Sequence, residues 1–138
     1  MEHYLVDTNV IIDLLIGRED ADAACAVVDG AERGDYAIYL CSLSYTNIYY
    51  SLRHVLSREQ RIDCLIKLND VIRTVPVDGM VISEALHSGW KDFEDAVQYS
   101  AAKTFPLITG IITRNKKDFK QSILPVIDSR DFLTDKPQ

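Results

Sequence analysis

Five short runs of β-branched, aromatic and leucine residues punctuate this chain, at 3–6, 36–41, 74–77, 108–113 and 126–127. Every gap between them spans a dozen residues or more, too long for a tight hairpin and long enough for a crossover helix. Strands joined in this way lie parallel, and a parallel sheet needs helices over both faces. The expected fold is therefore α/β. It has three layers, α/β/α, with a central parallel sheet of four or five short strands flanked by helices. The 138 residues carry no repeat, low-complexity tract or linker. They suffice for one domain, expected to occupy 1–138.

Helical spacing and capping residues fill the gaps. Thr8 and Asn9 are placed to cap a helix bearing Val10, Ile11, Leu14 and Leu15, and Gly17 stops it. A second helix is expected over 20–33. Ser42 or Ser44 is expected to cap a third, carrying Ile48, Tyr49, Leu52, Val55 and Leu56. Ser57-Arg58-Glu59-Gln60 has the form of a capping box and opens a helix through Ile72. Asp78 and Gly79 start another, closed by Gly89. Asp92 starts the next, with Phe93, Ala96, Val97, Ser100 and Ala101 on its packed side.

Charge and composition narrow the function. Lys+Arg is 15 against 21 Asp+Glu, a formal charge of −6, so the chain is not a basic groove that tracks nucleic acid by charge alone. Hydrophobic residues at 47% and charged residues at 26% are a globular balance. No apolar run approaches the ~18–20 residues that span a bilayer, and Met1-Glu2-His3-Tyr4 lacks the features of a signal peptide. A cytoplasmic protein with no membrane partner is expected. Cys25, Cys41 and Cys64 are odd in number, without a C-x-x-C pair, and read as inert core thiols. His3, His54 and His87 have no metal-ligand spacing and read as surface or structural residues.

Open parallel sheets bind ligands beyond the carboxyl ends of their strands. Asp7, Thr8 and Asn9 follow the first strand; Ser42, Ser44 and Asn47 follow the second; Thr113, Arg114, Asn115 and Asp118 follow the fourth. The helix opened by Asp92 carries Asp95 three residues on, where both can share a face. No glycine-rich phosphate loop follows the first strand. A phosphatase-like aspartate nucleophile would need a second aspartate at position 9, which is Asn, and no serine-hydrolase signature is present. Clustered carboxylates without histidine or thiolate suit a hard cation such as Mg²⁺ or Mn²⁺. Each acid also has an ordinary role. Asp7-Thr8-Asn9 can cap a helix, Asp92 and Asp95 suit N-cap and N3 positions, and Asp118 can sit in a turn. Asp128, Asp131 and Asp135 read as solvated tail charges. The coincidence of position at several strand ends is what favours a site.

At these residues the chain resembles the PIN domain family. The opening strand with Asp7-Thr8-Asn9 is similar to that family's first acidic motif. Asp92-Phe93-Glu94-Asp95-Ala96 is similar to its central acidic helix, and Ile112-Thr113-Arg114-Asn115-Lys116-Lys117-Asp118-Phe119 to its closing motif. The resemblance runs from about Tyr4 to Phe132 and extends to bacterial single-domain members, including toxins of the VapC type. It implies a Mg²⁺- or Mn²⁺-dependent endoribonuclease hydrolysing RNA phosphodiester bonds. Asp7, Asp95 and Asp118 would be metal ligands, with Asp92 an additional catalytic acid. Thr8, Asn9, Thr113 and Asn115 would orient carboxylates or waters. Arg114, Lys116 and Lys117, with Lys120 nearby, would hold substrate phosphates, or form a solvated turn.

One departure stands out. Many members place a glutamate in the helix after the second strand, where this chain has Asn47. An amide can ligate or orient a metal water but carries no charge, and Asp92 is the expected source of the missing one. The rival reading is a catalytically weak PIN-like module that binds RNA or protein. By family habit, an antitoxin protein and a second copy of the chain are further expected partners. The antitoxin would meet the carboxylates with Arg or Lys, and the homodimer would use Tyr45, Tyr49 and Tyr50 as an aromatic interface.

Overall fold

The structure, a computed structural model, describes residues 1–135 and side chains through Leu133. In chain order the elements are β1 (His3–Val6), α1 (Thr8–Ile16), α2 (Ala21–Glu32), β2 (Ala37–Cys41), α3 (Ser42–Ser51), α4 (Arg58–Val71), β3 (Arg73–Val75), α5 (Gly79–Leu86), α6 (Phe93–Lys103), β4 (Gly110–Thr113), β5 (Val126–Asp128) and α7 (Phe132–Asp135). A 3₁₀ turn, Lys116–Phe119, lies between β4 and β5. All five strands are parallel, in the order β3-β2-β1-β4-β5. This is the three-layer α/β/α fold expected from the spacing of the strand runs.

Side chains alternate across the pleat, so β1, β2 and β4 each feed two cores. Tyr4, Val6, Ile38, Leu40 and Ile112 join Val10, Ile11, Val27, Ile48, Leu52 and Leu68 on one face, under α1 to α4. Leu5, Tyr39, Ile111 and Cys41 join Val81, Ala85, Ala96, Val97 and Ala101 on the other, under α5 and α6. β1 is central and almost wholly buried, which fixes its register and the exit of the chain at Asp7.

Several local expectations are met. Gly17 ends α1 in the left-handed region, φ 67°, with its N–H on the Asp13 carbonyl. Ser57 and Gln60 form the reciprocal capping box. Others shift. Asp7 itself caps α1, since its side chain accepts from the Asn9 N–H. Neither Ser42 nor Ser44 caps α3: Ser42 Oγ accepts from Val77 N at 3.0 Å, and Ser44 Oγ meets Thr8 Oγ1 at 2.7 Å. α3 stops at Ser51, and 52–56 form turns that still bury Leu52. β4 begins at Gly110, two residues late, and β3 ends at Val75. Cys41 is a core thiol and Cys64 is partly covered, but Cys25 is exposed and not a core residue.

Gly30 faces the Tyr36 ring so closely that an added Cβ would overlap the phenol oxygen. That hydroxyl donates to the Val27 carbonyl at 2.5 Å, and the ring packs edge-on against Tyr4 and Phe132. Gly30→Ala should therefore cost about 1–3 kcal/mol, or roughly 4–10 °C in melting temperature. Thermal unfolding checks this; an unchanged midpoint would mean that the ring yields freely.

Candidate active site

Asp7 lies at the carboxyl end of β1 and is 2% exposed. Three groups hold its carboxylate: Gln98 Nε2 donates at 3.1 Å, Thr113 Oγ1 at 2.8 Å, and the Asn9 N–H at 3.4 Å. The Gln98 amide has one orientation, because its Oε1 accepts the Thr8 N–H at 3.0 Å. Burial pushes the Asp7 carboxyl above its ordinary range, against the pull of these donors and of Arg114. Thr113 is itself fixed by accepting the Asn115 N–H at 3.1 Å. Asn9 and Asn115 thus act here through their backbone N–H groups.

α6 brings the other acids. Asp92 caps it, its Oδ1 accepting the Asp95 N–H at 3.0 Å. Asp92, Asp95 and Asp118 line one groove of about 590 Å³ together with Lys91, Lys117, Lys120 and Gln121. Asp95 is pushed up to about 7, first by desolvation and then by the charges of Asp7, Asp92, Asp118 and Glu94. The capping role and the shared groove therefore coexist at Asp92.

Sequence reasoning missed Gln98, Glu94 and Asp13. Gln98 is a polar residue on the packed side of α6 between Val97 and Tyr99, three residues after Asp95, and that spacing was its signal. Glu94 lines a separate, smaller cavity, about 220 Å³, together with Asn47, Ser44 and Gln98. Desolvation, then Asp7 and Asp92, raise its pKa, against the opposing pull of the nearby Asn47 and Thr8 side chains. The carboxylate beside Asn47 is thus Glu94, where Asp92 had been expected.

The basic turn divides. Lys117 lines the acidic groove, as do Lys91 and Lys120. Arg114 does not serve as a free phosphate clamp. Its Nε is 2.8 Å from Oδ2 of buried Asp13, with the N–H pointing off that line, so the contact is an ion pair without an aligned hydrogen bond. Arg18 adds a 3.4 Å contact to the same carboxylate. Lys116 lies toward Asp128, whose pKa it helps to lower. Asp128 is no solvated tail charge: Arg130 clamps it with Nε at 2.9 Å and a second nitrogen at 2.5 Å. Asp131 is exposed as expected, and the Asp135 side chain lies outside the described residues.

The donors here are all oxygen, and a buried Asp7 beside an Asp95 pushed up to about 7 is a charge arrangement that a hard cation would relieve. Among the described residues, no three acidic, histidine or cysteine side chains stand close enough to enclose one ion. Mg²⁺ fits nevertheless, because it keeps several waters and is commonly held by only one or two carboxylates.

A pH dependence follows. The folded state raises the Asp95 pKa, so folding binds protons, and this contribution to stability is full below the unfolded carboxylate pKa. It is lost as pH rises toward 7. In chelator, the melting temperature should rise as pH falls from 8 to 5.5, and Asp95→Asn should flatten that slope. Equal slopes in both proteins would locate the repulsion elsewhere.

The comparisons with known proteins follow the same lines. The PIN domain profile (PIN_3) matches residues 3–117. No curated protein matches at a significant level. Among solved structures, the chain is similar to VapBC-1 from nontypeable Haemophilus influenzae, with 18% identity, TM-score 0.67, and 92% of this chain and 98% of that one covered. It is similar to VapBC2 from Rickettsia felis, bound there to a promoter DNA fragment, with 16% identity, TM-score 0.65 and coverage of 91% and 98%. It is also similar to Mycobacterium tuberculosis VapC20, a toxin that cleaves the sarcin-ricin loop, with 14% identity, TM-score 0.62 and coverage of 78% and 86%. These likenesses bear on the fold, and the profile match over most of the length bears on descent: the chain belongs to the PIN domain family.

Proposed function

We infer that this protein is a Mg²⁺- or Mn²⁺-dependent endoribonuclease. The observation that carries the reading is a buried Asp7 coupled to Asp95 at the rim of a groove that also holds Asp92, Asp118 and three lysines. Asp7, Asp95 and Asp118 would hold the cation, and Glu94 adds negative charge beside them. When bound, such an ion supplies a nucleophilic water near neutral pH and neutralises charge on the phosphodiester. Gln98 and Thr113 favour the ionised form of Asp7 against the cost of its burial, and they aim it. Lys91, Lys117 and Lys120 hold the flanking phosphates, since ammonium groups at the rim balance the backbone charge.

Membership of the PIN family, the fold shared with VapBC proteins and the RNA-cleaving activity of VapC20 support this reading. They also support a role as the toxin of a pair whose antitoxin would lay Arg or Lys across the acidic groove. The case for a catalytically weak binding module rested on Asn47, and Glu94 beside it weakens that case. A homodimer through α3 would use Tyr50, which stays exposed although Arg53 stacks on it at 3.7 Å; Arg61 stacks on Tyr49 at 4.0 Å. Among the described residues no helix is long and apolar enough to cross a membrane.

The test is a panel of structured RNAs incubated with Mg²⁺, with Mn²⁺ or with chelator. Cleavage with metal only is expected. No cleavage of any RNA at millimolar metal would overturn the reading.

A further inference from the structure

Next to the acidic groove lies a second cavity of about 500 Å³, lined by Trp90, Tyr99, His87, Lys103, Glu84 and Gln121 among others. Gln121 also lines the acidic groove, and Trp90 is followed directly by Lys91 of that groove, so the two are contiguous. We propose that this second cavity is a nucleobase subsite, in which a base of the bound RNA stacks on Trp90. The proposal rests on the ribonuclease reading above.

The chemistry of the cavity selects a base over a phosphate. Lys103 Nζ is 2.5 Å from Glu84 Oε1 and 4.9 Å from the centre of the Tyr99 ring, so its charge is already matched. Among the described residues no acid forms an ion pair with the three lysines of the neighbouring groove, and phosphates belong there. Trp90 is held in place: it stacks on Tyr99 at 4.7 Å and 22°, and meets Phe119 edge-on at 5.7 Å. Only part of its surface is covered, and the remainder faces the cavity. A rigid, half-covered indole beside polar hydrogen-bonding groups is a platform on which any base can stack. The volume lies within the roughly 300–1,000 Å³ of small-molecule sites.

Trp90 is the chain's only tryptophan, so its emission reports on this cavity alone. The experiment titrates the full chain, in chelator, with a mixed-sequence RNA hexamer and with an abasic chain of equal length, reading emission and anisotropy together. The hexamer should bind and quench Trp90 saturably, and the abasic chain should bind without quenching. Trp90→Leu should bind the hexamer about tenfold more weakly, as for the loss of one stacked base, whereas Trp90→Phe should bind as the parent does. Binding without quenching, quenching by the abasic chain, or no binding in chelator by a protein that cuts RNA with Mn²⁺ would each overturn the subsite and leave the ribonuclease reading standing. A protein that neither binds RNA in chelator nor cuts it with metal would overturn both.

Discussion

Asp7→Asn should remove RNA cleavage and leave the protein folded. The carboxylate is a proposed cation ligand, and such an ion contributes several kcal/mol of transition-state stabilisation. At 1.36 kcal/mol per factor of ten, activity should drop about a thousandfold or more. The fold tolerates the change because the amide can satisfy the same partners. Its oxygen accepts from Gln98 Nε2, and its NH₂ donates to the Thr113 hydroxyl, which retains a lone pair after accepting the Asn115 N–H. Removing a charge that burial disfavours, and that raises the pKa of Asp95 and Glu94, should hold or raise the melting temperature in chelator. Cleavage assays and thermal unfolding of one preparation check both halves. Retained activity would remove Asp7 from the chemistry, and collapse of the fold would make it a structural acid.

The second large effect concerns Asn47 and Glu94. If Glu94 supplies the charge that Asn47 lacks, Glu94→Gln should weaken Mn²⁺ binding about tenfold, because hard-cation affinity follows ligand charge. Asn47→Glu alone should not tighten it. The new carboxylate would replace an amide that favours the ionised Glu94 beside it and set two like charges together. The cost in chelator should be about 1–3 kcal/mol, the scale of a lost partner plus repulsion. The exchanged pair, Asn47→Glu with Glu94→Gln, should recover both stability and affinity, because the acid and amide merely trade places. Calorimetry and melting curves for the four proteins form a double-mutant cycle. Additive effects would mean that the two side chains act independently.

Residues whose place depends on the backbone alone were legible before any coordinates. Parallel strands announce their carboxyl ends through Asp7, Asn47 and Thr113, and the spacing of Asp92 and Asp95 puts both on one turn. What lay hidden depends on contacts across the sequence. Gln98 reaches Asp7 over 91 positions, and Arg114 reaches Asp13 from β4 to α1. No periodicity encodes such pairs. Arg114 looked like a phosphate clamp because a basic turn next to a site is equally compatible with a buried partner. Asp128 looked like tail charge because its pairing with Thr113, which seats it in the sheet, is set by tertiary packing; only there does Arg130, two residues on, clamp it. The caps misread at Ser42 and Ser44 failed for the same reason, since their hydroxyls serve Val77 and Thr8.

The strand order bears on when, during synthesis, this chain can become active. β1 precedes the other strands, yet it pairs on one side with β2 and on the other with β4, at Gly110 to Ile112. The Asp7 N–H bonds to the Ile112 carbonyl, and Thr113 supplies a hydroxyl to its carboxylate. A nascent chain of a hundred residues thus holds Asp7, Asp92 and Asp95 but has no strand to close the centre of the sheet, and it leaves Asp7 at an open edge. Domains fold as units once their sequence has emerged. The acids therefore become a site only after β4 and Thr113 have left the exit tunnel.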